Sequence, residues 1–302
     1  MSKIGFLDGG TGQEIFERAG KPRSALWSVH VMLQQPEIVE GVHRAFLQAG
    51  ARTHSLNTYS ATPTRLRAAG IEDQIEDVFK TAKASLSRAL KDAPFPVERA
   101  GILPPLVGSY QAKPDRSFDS MLSEYRFMVS LQRDLDLLMI ETMTNSLEAK
   151  AACQAAHESG LLFTLGIRVE STGLLRSGET VEALLDACRP FKPHGLWINC
   201  TSPEDVAGGL SIIAQESLPY GAFANGFRTV EPLASGGSVA ELMGREDLTP
   251  HDYAGLSLSW KTSGAQLIGG CCQISPYHLG ETAKALVNDG CSLARVSDLL
   301  KR

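Results

Sequence analysis

Residues 135–169 read LDLLMIETMTNSLEAKAACQAAHESGLLFTLGIRV. An apolar run from Leu135 to Glu141 is followed by a polar turn, a stretch of helical spacing from Ser146 to Glu158, and a second apolar run from Leu161 to Val169. Short runs rich in Leu, Ile and Phe suit strands buried on both faces, and a helix between two of them is a βα repeat. The same rhythm continues outward in both directions. Further strands are predicted at Lys3–Asp8, Ala51–Asn57, Ala100–Gly108, Gly195–Cys200, Tyr220–Asn225 and Gln266–Cys271, eight in all. Helices are predicted at Pro36–Gln48, Asp73–Leu90, Phe118–Gln132, Thr180–Cys188, Pro203–Gln215, His251–Trp260 and Pro276–Asn288. Gly50 stops the first of these, and Ser202–Pro203 and Ser275–Pro276 have the residue types of N-cap and N1 pairs.

No Ser/Pro/Gly-rich linker or charge block divides the chain, so one α/β domain is expected over residues 1–302. Eight parallel strands with return helices, at roughly 38 residues per unit, suit a (β/α)8 TIM-type barrel. An open doubly wound sheet is the competing arrangement. Lys+Arg 29 against Asp+Glu 34 gives a net charge of −5 over 302 residues, which excludes a basic nucleic-acid-coating protein. Hydrophobic residues at 43% supply a large core. No apolar stretch resembles a signal-peptide core or a membrane span, and six cysteines are too few for a disulfide scaffold. A cytoplasmic protein with free or metal-bound thiols is the expectation.

In such a barrel the carboxyl ends of the strands build the site. Here they carry Asp8, Gly9 and Gly10; Asn57; Glu141; Asn199 and Cys200; Asn225; and Gly269, Gly270, Cys271 and Cys272. Strands six and eight are close neighbours around the rim, so Cys200, Cys271 and Cys272 converge as three thiolates suited to Zn²⁺. Adjacent residues of a regular strand face opposite ways, so the backbone must turn at Cys271–Cys272, and Gly269–Gly270 offer the freedom for it. Three protein ligands leave the fourth tetrahedral position to a substrate thiol, which would bind there as thiolate. Asp8 and Glu141 face the same rim and can hold a substrate ammonium, while the N–H groups of Gly9–Gly12 can receive an anion such as a carboxylate.

Several competing assignments are weaker. Asp-Gly-Gly-Thr-Gly also occurs in the phosphate loop of sugar kinases, but there a β-hairpin follows, whereas Gln13–Ala19 reads as helix. A Schiff-base lyase lacks a lysine at a strand end. The seven histidines show no ligand spacing, although His54 in strand two can face the barrel interior. Trp27, Trp197 and Trp260 are too dispersed for an aromatic box. Cys153, Cys188 and Cys291 are read as packing residues in or near helices.

With the strand ends assembled, the chain resembles the homocysteine S-methyltransferase family over nearly its whole length. The carriers are FLDGGTGQE (6–14), AGARTHSLNTYSAT (49–62), IETMTNSLEA (140–149), LWINCTSPE (196–204) and IGGCCQISPYHL (268–279). The resemblance implies a (β/α)8 barrel with Zn²⁺ on Cys200, Cys271 and Cys272. It also implies that Asp8 and Glu141 bind the homocysteine amino group, that the backbone at Gly9 and Gly10 helps hold its carboxylate, and that Asn57 and Asn199 support the site. Two segments depart from the family pattern: Phe223-Ala224-Asn225 in place of Tyr-Pro-Asn, and LPPLVGSYQ (103–111) in place of a Gly-Pro type. Both are expected near the methyl-donor pocket. The implied reaction moves a methyl group from a small onium donor, S-methylmethionine or S-adenosylmethionine before betaine, to homocysteine. The alternatives are another thiol or selenol acceptor, or a zinc- and thiol-binding barrel without transfer activity.

Overall fold

Each of the eight expected strands is present, seven of them shorter than the apolar run and the fourth shifted by two residues at equal length, in a computed structural model that describes residues 2–22, 24, 26–234 and 239–300. They are β1 (Ser2–Phe6), β2 (Thr53–Ser55), β3 (Glu98–Leu103), β4 (Leu137–Met143), β5 (Phe163–Ile167), β6 (Gly195–Asn199), β7 (Tyr220–Phe223) and β8 (Leu267–Ile268). All pairings are parallel, in the order β2 through β8 and then β1. A bridge between Leu7 and Thr53 joins β1 to β2 and closes the barrel. An open doubly wound sheet is thereby excluded.

Strand alternation sorts the apolar side chains into two layers. Leu7, Ala100, Ile102, Leu137, Met139, Trp197, Phe223 and Leu267 fill the barrel interior. Their neighbours, among them Phe6, Leu138, Ile140, Leu196 and Ile198, pack outward against the helices.

The first half of the chain supplies α1 (Thr11–Arg18), α2 (Ser28–Gln34), α3 (Pro36–Gln48), α4 (Pro63–Ala68), α5 (Ile75–Leu90), α6 (Phe118–Ser130) and α7 (Ser146–Ser159). The second half adds α8 (Val181–Cys188), α9 (Val206–Ile213), α10 (Glu231–Ala234), α11 (Pro250–Thr262) and α12 (Pro276–Asn288). In the βαβ unit of residues 135–169, the Asn145 side chain accepts from the Glu148 N–H to start α7, and Gly160 at φ 74° ends it. Ser275 and Pro276 take the N-cap and N1 places of α12. Ser202 and Pro203 do not start α9; they lie in a turn closed by the Asp205 N–H on the Ser202 carbonyl.

Two further differences concern the ends of the chain. A ninth strand, β9 (Cys291–Ala294), pairs with Ser2–Gly5 of β1, so Cys291 starts a strand just after α12 and is buried in the core cluster as a packing residue. After it the chain crosses the base of the barrel, where Val296 and Leu300 join the interior cluster. The Val296 N–H donates to Thr53 Oγ1 at 2.9 Å, and the Ser297 N–H to Glu98 Oε1 at 3.1 Å. The base is sealed in this way, which leaves the opposite mouth for a site.

Candidate functional site

A cavity of about 620 Å³ opens at the carboxyl ends of the strands. Asp8, Gly9, Gly10, Asn57, Glu141, Cys200, Cys271 and Cys272 line it, together with Trp27, Tyr59, Tyr110, Phe223 and Phe227. Of the strand-end residues expected there, Asn199, Asn225 and Gly269 do not.

The cysteines meet because two chain segments turn sharply. Cys200 leaves β6 with φ 51°, and the Asn225 Nδ2 holds its carbonyl at 2.9 Å. After β8 a turn runs from Cys271 to Ile274, closed by the Ile274 N–H on the Cys271 carbonyl, with Gln273 at φ 64°. The turn expected here is therefore made by Gln273, not by glycine freedom. Gly269 and Gly270 matter for close approach instead: a Cβ on Gly270 would lie 2.4 Å from Ile274 Cγ2, and one on Gly269 2.7 Å from Leu7 Cβ. Gly9 and Gly10 serve the same contact from the other side, since their Cβ atoms would meet the Ile274 and Cys271 carbonyl oxygens at 2.4 and 2.6 Å.

One sulfur from each of Cys200, Cys271 and Cys272 lies within 4.8 Å of the other two. The Cys271 and Cys272 Sγ atoms are 3.9 Å apart, matching the roughly 3.8 Å edge of a tetrahedron of sulfurs about 2.3 Å from a central ion. Cys200 and Cys271 are drawn together as a disulfide, with Cα atoms 5.7 Å apart, instead of standing as separate thiols. Burial, and next the Glu141 carboxylate, push the Cys272 thiol up to about 12, so it stays protonated without a cation beside it. The Tyr110 hydroxyl donates to Cys200 Sγ at 3.4 Å, and the Arg168 guanidinium lies 4.8 Å from the Tyr110 ring centre.

On the facing side Asp8 is 1% exposed. Its Oδ2 accepts from the Ser55 N–H at 2.9 Å and from Thr11 Oγ1 at 3.2 Å, and its Oδ1 accepts from Ser55 Oγ at 2.9 Å. Burial raises Asp8 to about 7, against the lowering effect of those hydrogen bonds. Glu141 shares the inward parity of Leu137 and Met139 and is raised to about 8, by burial first and by Asp8 second. Among the described residues no lysine or arginine forms an ion pair with either carboxylate.

Beyond Glu141 the register of β4 shifts, with Thr142 at φ 59°. Asn199 holds that bulge: the Thr142 N–H donates to its Oδ1 and its Nδ2 donates to Thr142 Oγ1, both at 2.9 Å. It reaches across β5 only because residue 166 is glycine, where a Cβ would lie 2.7 Å from Asn199 Oδ1. Asn199 thus supports the placement of Glu141 from below the cavity. Asn57 forms part of the cavity wall and accepts from Ser28 Oγ at 2.7 Å, which ties α2 to the rim. The Gly10 and Thr11 N–H groups donate to the Ile274 and Gly9 carbonyls, so these two are not available to an anion.

Tyr110, Ser55 and Arg168 were not singled out from the sequence, and Trp27, set aside there as too dispersed for an aromatic box, lines the cavity beside Tyr59 and Tyr110. Ser55 carries a signal in strand alternation, since Thr53 and Ser55 put hydroxyls on one face of β2. Tyr110 and Trp27 occupy irregular segments at φ 68° and 50°, which periodicity does not mark. Both departing segments reach the cavity, through Val107–Gln111 and Phe223. His54 does not face the interior; it points toward α3, beside His43.

The family model for homocysteine S-methyltransferases matches residues 6–286. Homocysteine S-methyltransferase 4 of Zea mays is 27% identical, covering 93% of this chain and 88% of its own. The selenocysteine methyltransferase of Astragalus bisulcatus is 24% identical over 89% of this chain and 88% of its own. The metallated form of the Escherichia coli homocysteine methyltransferase MmuM superposes with a TM-score of 0.75 at 23% identity, covering 93% of this chain and 96% of that one. That likeness fixes the barrel fold. The match over nearly the full length makes the protein a member of the homocysteine S-methyltransferase family.

Proposed function

We propose that this enzyme transfers a methyl group from a small sulfonium donor, S-methylmethionine or S-adenosylmethionine, to the sulfur of homocysteine, giving methionine. The observation that supports this most is the meeting of three cysteine sulfurs with two unpaired carboxylates across one cavity. In the proposal residues 1–302 act as one homocysteine-binding domain in the cytoplasm. No helix among the described residues is long and apolar enough to cross a membrane.

Cys200, Cys271 and Cys272, with the Cys200–Cys271 pair reduced, would hold Zn²⁺. When bound, Zn²⁺ lowers the pKa of a coordinating substrate thiol, so that homocysteine is present as thiolate at neutral pH. Asp8 and Glu141 receive the substrate ammonium, which supplies the cation this buried pair lacks. Their separation from the sulfurs across the cavity orients homocysteine with its thiol toward the cysteines. Trp27, Tyr59, Tyr110 and Phe227 give the remaining wall an aromatic character suited to a methylated cation, and exclude water from it. The sulfur then attacks the methyl carbon, the carbon–sulfonium bond breaks, and the neutral sulfide leaves. No proton moves at the methyl group.

A selenol acceptor is the second reading, favoured by the selenocysteine methyltransferase among the relatives. The experiment is metal analysis of the reduced protein together with assays of methionine formation from S-methylmethionine, S-adenosylmethionine and betaine. At least one zinc per chain, lost when a cysteine of the cluster is replaced, and turnover with a sulfonium donor are expected. Full turnover by metal-free protein would overturn the proposal.

A further inference from the structure

Beneath Asp8, on the side away from the cavity, lie His43 of α3 and His54 of β2. One nitrogen from each ring and one Asp8 oxygen fall within 4.8 Å of one another. Both imidazoles are 0% exposed, and none of their four ring nitrogens has a hydrogen-bond partner among the described residues. The Ala51 carbonyl is a further polar neighbour of His54, and the Arg52 charge also acts on it. Buried ring nitrogens are ordinarily paired, because an unpaired one forfeits its bond to water. Two such rings side by side, next to a carboxylate, are a set of donors without an acceptor.

We infer that Asp8, His43 and His54 form a second cation site for a divalent ion of the Zn²⁺, Co²⁺ or Ni²⁺ class, separate from the cysteines. Two imidazoles and one carboxylate are a common ligand set for these ions. Burial lowers His43 to about 4 and His54 to about 3, so both rings are neutral and keep a lone pair for a metal at physiological pH. Asp8 Oδ1 carries only the Ser55 hydroxyl as a close donor and retains a free lone pair. Asp8 also lines the cavity, which gives the ion its way in. Ligand distances of about 2.0–2.1 Å require edges of roughly 3.3 Å, so the three atoms, now within 4.8 Å of one another, close in around the ion.

Occupancy has a consequence for catalysis. An ion on Asp8 cancels the charge that would hold the homocysteine ammonium, so excess divalent metal inhibits by competing with homocysteine. This effect, unlike the ion site itself, rests on the proposed function.

The test is a Co²⁺ titration of the reduced, metal-free protein. Two equivalents per chain are expected: one with a thiolate-to-cobalt charge-transfer band, and a second with d–d bands alone that shifts the ring protons of two histidines in the NMR spectrum. His54→Val and His43→Leu should each retain the thiolate equivalent, showing that the protein is folded, and weaken the second by more than the roughly 10–100-fold that loss of an outer-shell partner costs. Co²⁺ beyond the first equivalent should raise the homocysteine KM with kcat unchanged, and less so in these variants. A single equivalent in the wild-type protein, or unshifted histidine protons at two equivalents, overturns the site. Failure of the cysteine assignment reads separately, as a missing thiolate band with the histidine shifts intact.

Discussion

The two ends of the barrel both bury carboxylates, and they use them in opposite ways. At the base, Glu98 Oε1 accepts from Thr53 Oγ1 at 2.6 Å and from the Ser297 N–H at 3.1 Å, so the acid fastens the C-terminal segment to the sheet. At the mouth, Glu141 receives no hydrogen bond from any described residue and faces Asp8 across the cavity. Burial raises the pKa in both places. A buried acid whose donors come from the fold is a latch, whereas a pair of acids left without a cation is a place for one to bind.

The sharpest way to break this comparison is to remove one of the proposed metal ligands at the mouth. Cys272→Ala should abolish metal retention and lower methionine formation by more than the roughly 10–100-fold typical of outer-shell partners. Glu98→Ala should leave the metal content of the purified protein unchanged. Metal analysis and turnover on the two variants decide the matter.

Charge removal comes next. Glu141→Gln should raise the homocysteine KM by roughly 10–100-fold, since a hydrogen bond to a charged group contributes about 1.5–3 kcal/mol. Glu98→Ala should do the reverse: KM stays, but denaturant unfolding shows a loss of about 1–3 kcal/mol from the abandoned Thr53 and Ser297 donors.

The pH dependence follows from the raised values at the mouth. Asp8 at about 7 and Glu141 at about 8 are ionised only above those values, so homocysteine KM should fall as pH rises from about 6 to 8. Glu141→Gln should remove the upper part of that change. Both folded values lie above the unfolded ones near 4, so the unfolded chain releases these protons first. Substrate-free protein should therefore lose stability as pH rises from about 4 to 8, and homocysteine should offset the loss. Thermal melts with and without homocysteine read this directly.

The smallest expected effect is that of Tyr110→Phe. Loss of the hydroxyl donated to Cys200 removes one neutral hydrogen bond, about 0.5–1.5 kcal/mol, and kcat/KM should fall less than about tenfold.

What the sequence determined is what periodicity and residue type can report. Alternation and apolar run length place each strand, and barrel geometry then puts the residue that ends each strand at the mouth, which is why Asp8, Glu141, Cys200, Cys271 and Cys272 were legible. Tertiary structure decided which backbone turns and which neighbours each side chain meets. The left-handed turn at Gln273, the Thr142 bulge held by Asn199 across Gly166, and the Tyr110 hydroxyl on Cys200 all depend on contacts between distant strands. The same holds for β9, a short half-exposed run whose role appears only against the free half of β1, and for His54, whose direction depends on α3 lying behind it. Local patterns record the face on which a residue is buried; the identity of its partners is a property of the closed sheet.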